Sequence, residues 1–209
     1  MKLIKLTNDG KTKNNTKWEI GKTVSISNGK RKPKLCLDGV LHAYESIEQA
    51  LVTKINHGYE SDNQLKIFEV EGDIELKEYD KVGSYELTPI KEVALPDWYL
   101  NEGLRKKIFV RFACYCALEV IDIFEEKYPN DNRPRKAIEE AMKYGSDGFD
   151  KNVAVCAAYT ARAAVYNADA YAAADTDNAA ADIVYFAAVS AYADINITKL
   201  MKKAIGDFV

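Results

Sequence analysis

The spacing of apolar residues changes once along this chain, at Pro96, and that change constrains the fold more than any other feature. Before it, apolar and polar residues alternate with a period of about two, as half-buried strands do; after it, they recur at about 3.6, as helices do. In the first part, Leu3–Thr7 reads as a strand closed by the turn signal Asn8-Asp9-Gly10. Lys66–Gly72 and Gly83–Thr88 alternate in the same way, and Ile90–Leu95 makes a further short strand. Ser46 can cap a single helix, with Gln49 three residues on completing a capping box. Ile47, Ala50, Leu51 and Ile55 then share one face, and Gly58 is the stop. Asn28-Gly29-Lys30-Arg31-Lys32-Pro33 cannot hold a regular element and reads as a loop.

In the second part a long helix is expected over Leu104–Tyr128, with Ile108, Phe112, Tyr115 and Leu118 on one stripe. Lys107, Arg111 and Asp122 fall roughly opposite. Pro129-Asn130-Asp131-Asn132 breaks the helix, and Pro134 opens the next one from its first turn. Gly145–Gly148 is another break. From Asp150 alanine dominates, with eighteen alanines between Ala154 and Ala193, and a final helix runs from Asn196 or Thr198 to Ile205. Alanine has the best helix propensity and lets helices approach closely, which suits stacked hairpins. The fold class is therefore α+β in two domains. Residues 1–96 form a small mixed β-sheet with one helix, and residues 97–209 form an all-α, alanine-rich helical-hairpin domain.

The 209 residues are 47 % hydrophobic and 29 % charged, which excludes disordered and fibrous classes. No apolar run reaches the roughly 20 residues of a membrane span, and Met1–Leu6 is too short for a signal-peptide core. Four cysteines without metal-type spacing suggest reduced thiols. The expected location is a cytosol, with no membrane association.

The net charge of −3 hides a segregation. Residues 1–34 carry ten Lys and Arg against Asp9 and Glu19, whereas residues 60–92 carry ten acids against four lysines. A basic segment can meet nucleic acid, but neighbouring basic and acidic strands also neutralise each other locally, and the second reading is favoured. The acidic remainder of the chain counts against duplex binding.

Several side chains are candidates for chemistry. His42, Tyr44 and Glu45 lie together and could serve an enzyme or nucleotide-binding site built on the β-domain. Cys114 and Cys116, two apart on a helix, point to different faces and cannot chelate one metal together. Cys156, among alanines, reads as a small buried hydrophobe. Neither a metal nor a cofactor is expected. Arg133, Arg135 and Lys136 stand at a helix start, where the macrodipole disfavours cations, so each needs compensation. A carboxylate of the preceding helix (Asp122, Glu125 or Glu126) supplies it in one reading, and an anionic ligand or acidic partner in the other. Arg162 is the sole base of the alanine region, and Tyr159, Tyr166 and Tyr171 recur along it. They are candidates for a partner-binding face, with helix-groove packing as the default role.

Phe112-Ala113-Cys114-Tyr115-Cys116-Ala117-Leu118-Glu119, then Asp131-Asn132-Arg133-Pro134-Arg135-Lys136-Ala137-Ile138-Glu139 and the alanine run, resemble a bacterial immunity-protein family. The resemblance covers roughly residues 103–195 and implies an all-helical domain associated with toxin–immunity loci and also found in phage genomes. Relatives place histidines in the alanine-rich helices, and this chain has none there. The first half, through Cys36–Ser46, Phe68–Asp73, Asp80–Gly83 and Ile90–Val93, resembles a domain of unknown function common in phage and prophage proteins. Together they imply a non-enzymatic phage or prophage accessory protein. It would bind a bacterial host protein and neutralise a toxin or a defence system. The alternatives are the enzyme or nucleotide-binding module above, and weak nucleic-acid binding through residues 1–34. GxGxxG, P-loop, HExxH and GxSxG motifs are all missing from the sequence. Whether the chain forms a homo-oligomer is left open.

Overall fold

The computed structural model describes residues 1–12, 15–26, 39–54, 62–78, 81–119, 121–127, 129–143 and 196–209. The chain divides into two compact units, Met1–Pro96 and Asp97–Val209. The first contains β1 (Lys2–Asn8), β2 (Val24–Ser25), β3 (Leu41–Ala43), α1 (Ile47–Thr53), β4 (Leu65–Glu71), β5 (Leu76–Lys77), β6 (Val82–Ser84) and β7 (Glu86–Val93). One 3-10 turn, Asp62–Gln64, leads into β4.

The described strands form a four-stranded sheet of order β1-β4-β7-β2 and a three-stranded sheet of order β3-β6-β5. All the pairings are antiparallel, which corrects the expectation of a mixed sheet. The two sheets meet where Ile4 and Tyr44 exchange backbone hydrogen bonds of 2.8 Å. Leu3, Phe68, Val70 and Leu87 of the larger sheet pack with Trp18, Ala43 and Val82 in one apolar cluster.

Turn chemistry accounts for the start of this unit. Asp9 and Gly10 both take positive φ (49° and 75°), while Asn8 and Lys11 bond each other at 2.8 and 3.0 Å. That is a two-residue hairpin loop of the primed kind, which Asp-Gly favours. Ser46 caps α1 by accepting from the Gln49 N–H at 3.1 Å. The Gln49 side chain reaches back to the Glu45 N–H (2.8 Å), one residue ahead of the usual capping-box donor. Ile55 and Gly58, the expected end of this helix, lie outside the described residues, as does the whole loop at residues 28–33.

The expected strand Gly83–Thr88 is instead two strands in different sheets, separated at Tyr85. The Ser84 hydroxyl donates to the Glu86 carbonyl (2.6 Å) and also accepts from the Glu86 N–H (3.3 Å), so the chain turns there rather than continuing. From Glu86 the second strand runs unbroken to Val93, absorbing the separately expected Ile90–Leu95. Pro89 is tolerated because the β4–β7 register shifts beside it, passing from Glu69↔Lys91 to Val70↔Pro89.

Gly72 marks a close approach. A Cβ there would overlap the Glu86 carbonyl oxygen and lie 2.7 Å from Leu87 Cδ2. Gly72→Ala is therefore expected to cost about 1–3 kcal/mol, the range of overpacking, because backbone cannot yield as a flexible side chain does. Chemical denaturation followed by circular dichroism checks this; an unchanged midpoint would mean that the strands separate freely.

The second unit contains α2 (Asp97–Leu100), α3 (Glu102–Leu118), α4 (Ile121–Lys127), α5 (Arg133–Met142) and α6 (Ile197–Gly206). Asn101 caps α3, its side-chain oxygen accepting from Leu104 N at 3.0 Å. The single helix expected over 104–128 is broken after Leu118, where Glu119 ends the hydrogen-bond ladder and Ile121 starts α4. The break lets Ile121 join Val110, Cys114, Ala117, Ile138 and Ala141 in one cluster, docking α5 on α3. Ile108 to Ala117 are buried except for Arg111, so α3 is enclosed nearly all round rather than along one stripe. The alanine-rich segment lies outside the described residues, and so do the hairpins expected of it.

Candidate functional site

The sequence places three cations at the start of α5, and the structure gives each a different setting. Asn132 occupies the cap position without a side-chain cap bond. Asp131 does that work instead, accepting from the Arg133 N–H at 3.2 Å. Its two carboxylate oxygens also take the Arg133 guanidinium at 2.8 and 2.6 Å. Arg133 was expected to find a carboxylate of the preceding helix. Its partner is this nearer aspartate, because a two-residue span suffices for a bidentate grip. The Arg133 side chain is 83 % exposed, and its hydrogen bonds hold the Asp131 carboxyl down at about 2.

Arg135 follows the cross-helix expectation. Its Nε and one terminal nitrogen grip Glu125 at 2.6 and 2.7 Å, and the same terminal nitrogen reaches Asp122 at 3.2 Å. Glu125 is correspondingly held below its usual carboxylate range by those bonds. This pair fixes α4 against α5. Lys136 is exposed and has no carboxylate in ion-pair range among the described residues. The corner thus presents one tethered guanidinium, one cross-helix guanidinium and one exposed ammonium, all in the first turn of α5.

Behind it stands a residue that the sequence reading assigned to the outer face of a helix. Arg111 is only 19 % exposed and joins three elements. One terminal nitrogen donates to Asp207 (3.0 Å), the other donates to the Met142 carbonyl at the end of α5 (2.7 Å), and the guanidinium lies 5.1 Å from the Phe208 ring centroid. The Tyr115 hydroxyl donates to the same Asp207 oxygen at 2.6 Å. Burial, and then that carboxylate, push the Tyr115 phenol up. The usable signal was the nearly continuous apolar run around Arg111, which leaves no wet face for it.

Cys114 and Cys116 are both buried free thiols. Burial pushes Cys114 up to about 12 and Cys116 further up, which disfavours the thiolate form of both at neutral pH. Among the described residues no cluster of His, Cys, Asp and Glu could hold a metal ion, and no helix is long and apolar enough to cross a membrane. Tyr159, Arg162, Tyr166 and Tyr171 lie outside the described residues.

In the first unit, His42 sits on β3 opposite Gly83, and Tyr44 is buried beside the sheet junction. Glu45 pairs with Lys77 at 2.8 Å. None of the three lines the cavity of about 590 Å³ that opens between Thr23, Gly72, Ser84 and Thr88. What the structure brings to His42 is Lys5, which sequence reasoning passed over as one of many basic residues. Lys5 is 5 % exposed, donates to the His42 carbonyl at 2.5 Å, and lies 4.7 Å from the Trp18 ring centroid. Its burial lowers the amine to about 7. The remaining basic segment is partly neutralised within the sheet: Glu69 on β4 takes Lys2 from β1 (2.9 Å) and Lys91 from β7 (3.2 Å).

Residues 1–101 match a domain of unknown function, DUF7666. Residues 100–199 match the family described as "Imm-5 like putative immunity protein", a span that contains α3, α4, α5 and the Arg133–Lys136 corner. No curated protein and no solved structure matches the chain. The N-terminal segment is thus similar to a domain family of unknown function, and the C-terminal segment is similar to the Imm-5 like immunity-protein family.

Proposed function

We propose that this protein is a non-enzymatic accessory protein of phage or prophage origin. In a bacterial cytosol it would bind a host protein through its helical unit, neutralising a toxin or a defence effector. The observation that carries this reading is the immunity-family match over residues 100–199, within which the exposed Arg133 and Lys136 stand on a braced helix start. A guanidinium tethered by Asp131 loses little side-chain entropy on docking, which favours it as an anchor. Arg135 serves mainly to hold α4 and α5 together beneath that anchor.

The test is purification of the tagged protein from a bacterial host, with mass spectrometry of what accompanies it. A stoichiometric protein partner is expected. Arg133→Ala with Lys136→Ala should weaken its retention at least tenfold while melting moves by less than about a degree, since exposed pairs contribute little stability. Arg135→Ala should instead lower melting by about one to three degrees. A bound small molecule with no protein partner would overturn this function. A partner retained by the double variant would move the docking surface away from this corner.

A further inference from the structure

We infer that the outer face of α6 is a second docking surface, which takes a carboxylate-rich segment of a protein partner. This inference rests on the proposal that the helical unit binds a protein, and it concerns a helix that lies mostly beyond the residue-199 end of the family match. One side of α6, with Ile197, Leu200, Met201 and Ala204, is buried. The other carries Lys199, Lys202 and Lys203, all exposed, on a helix with no acidic residue over Ile197–Gly206.

That face conflicts with what helix stability asks for. Lys199 stands in the first turn, where the macrodipole disfavours a cation, and no acid stands there to offset it. Lys202 and Lys203 lie at i+3 and i+4 from it, where like charges repel. Among the described residues neither Lys199 nor Lys202 has a carboxylate in ion-pair range. Lys203 rests over the Tyr115 ring, 3.8 Å from its centroid, which holds its ammonium in place. The chain as a whole carries −3, so this positive face is a local exception to its charge. The Asp207 clasp to Arg111 and Tyr115 keeps the ridge in fixed geometry. A first-turn cation and an i, i+3 pair of like charges, with no carboxylate in ion-pair range of Lys199 or Lys202 among the described residues, are what a surface kept for recognition looks like. Charge complementarity then specifies an acidic segment, and spacing of one helical turn suits carboxylates presented at the same interval.

The test uses the full chain with a polyglutamate peptide of about twenty residues, followed by NMR shift mapping and titration. Shifts are expected on α6, and K199E/K202E/K203E should weaken the peptide at least tenfold. Single K199E should raise the melting temperature by about a degree or two, because a carboxylate in the first turn suits the dipole and can pair with Lys202 and Lys203. If the triple reversal misfolds, K199Q/K202Q/K203Q is judged by the same tenfold criterion. The inference is overturned if shifts fall on the lysines of residues 2–22 instead, or if the variants bind as well as the parent. It is equally overturned if duplex DNA of matched charge binds more tightly than the peptide. Should it fail while the host partner is still captured, the proposed function stands and only this second surface is lost.

Discussion

Replacing Lys5 by methionine will stabilise the first unit at pH 7, and the gain will shrink as pH rises toward 10. The folded protein holds this amine at about 7, because burial disfavours its charged form, whereas an unfolded lysine titrates near 10.5. Between those values the unfolded chain carries a proton that the folded chain lacks, so stability must rise with pH. The contribution is fully present above about 10.5, is lost as pH falls to about 7, and stays flat below that. The change across the window is on the order of 5 kcal/mol. The carbonyl of His42 and the Trp18 ring return part of the desolvation cost but do not cancel it. Urea denaturation of parent and Lys5→Met at pH 7 and pH 10 isolates this group from the other titrating lysines and tyrosines. Equal differences at the two pH values would mean that Lys5 reaches water and keeps its ordinary ionisation.

Arg111→Ala should produce the largest loss in the helical unit, about 3 kcal/mol, or roughly 10 °C of melting. The guanidinium is mostly enclosed, and its removal strips a partner from Asp207, leaves the Met142 carbonyl without its donor, and opens a gap beside Phe208. Because Asp207 is itself 29 % exposed, water recovers part of that loss, which places the value at the lower end for a broken buried pair. Asp207→Ala should cost less on its own. In the double variant the two effects should fall short of their sum by more than about 1 kcal/mol, since both remove the same interaction. A loss under about 2 °C for Arg111→Ala, or strict additivity, would show that α6 is held by its apolar face alone.

These residues also show where sequence reading succeeds. The Asn8-Asp9-Gly10 turn, the Ser46 cap and the opening of α5 around Pro134 were legible because each depends on neighbours within four residues. Strand boundaries around Ser84 were not, since alternation continues smoothly through a bend that only the hydroxyl's two hydrogen bonds reveal. The Arg135–Glu125 pair could be anticipated from the helix-start cation, whereas Arg111 could not be matched to Asp207, which lies 96 positions away. Lys5 shares its strand parity with buried Leu3 and Thr7. Parity alone marked it as inward, but a lysine in a basic segment invites the opposite assumption.

The pairing of β1 with β4 carries a consequence for synthesis. Lys2 meets Glu71 and Asn8 meets Leu65, so the first strand made must wait for a partner about sixty residues later. The larger sheet is complete only when β7 has emerged through Val93. Until then Leu3 lacks Val82 and Leu87 of its apolar cluster, and the nascent chain offers an incomplete apolar face and an open strand edge to whatever is near. A ribosome pausing within residues 71–93 would lengthen that exposure, so slow codons there should reduce yield more than slow codons after Pro96.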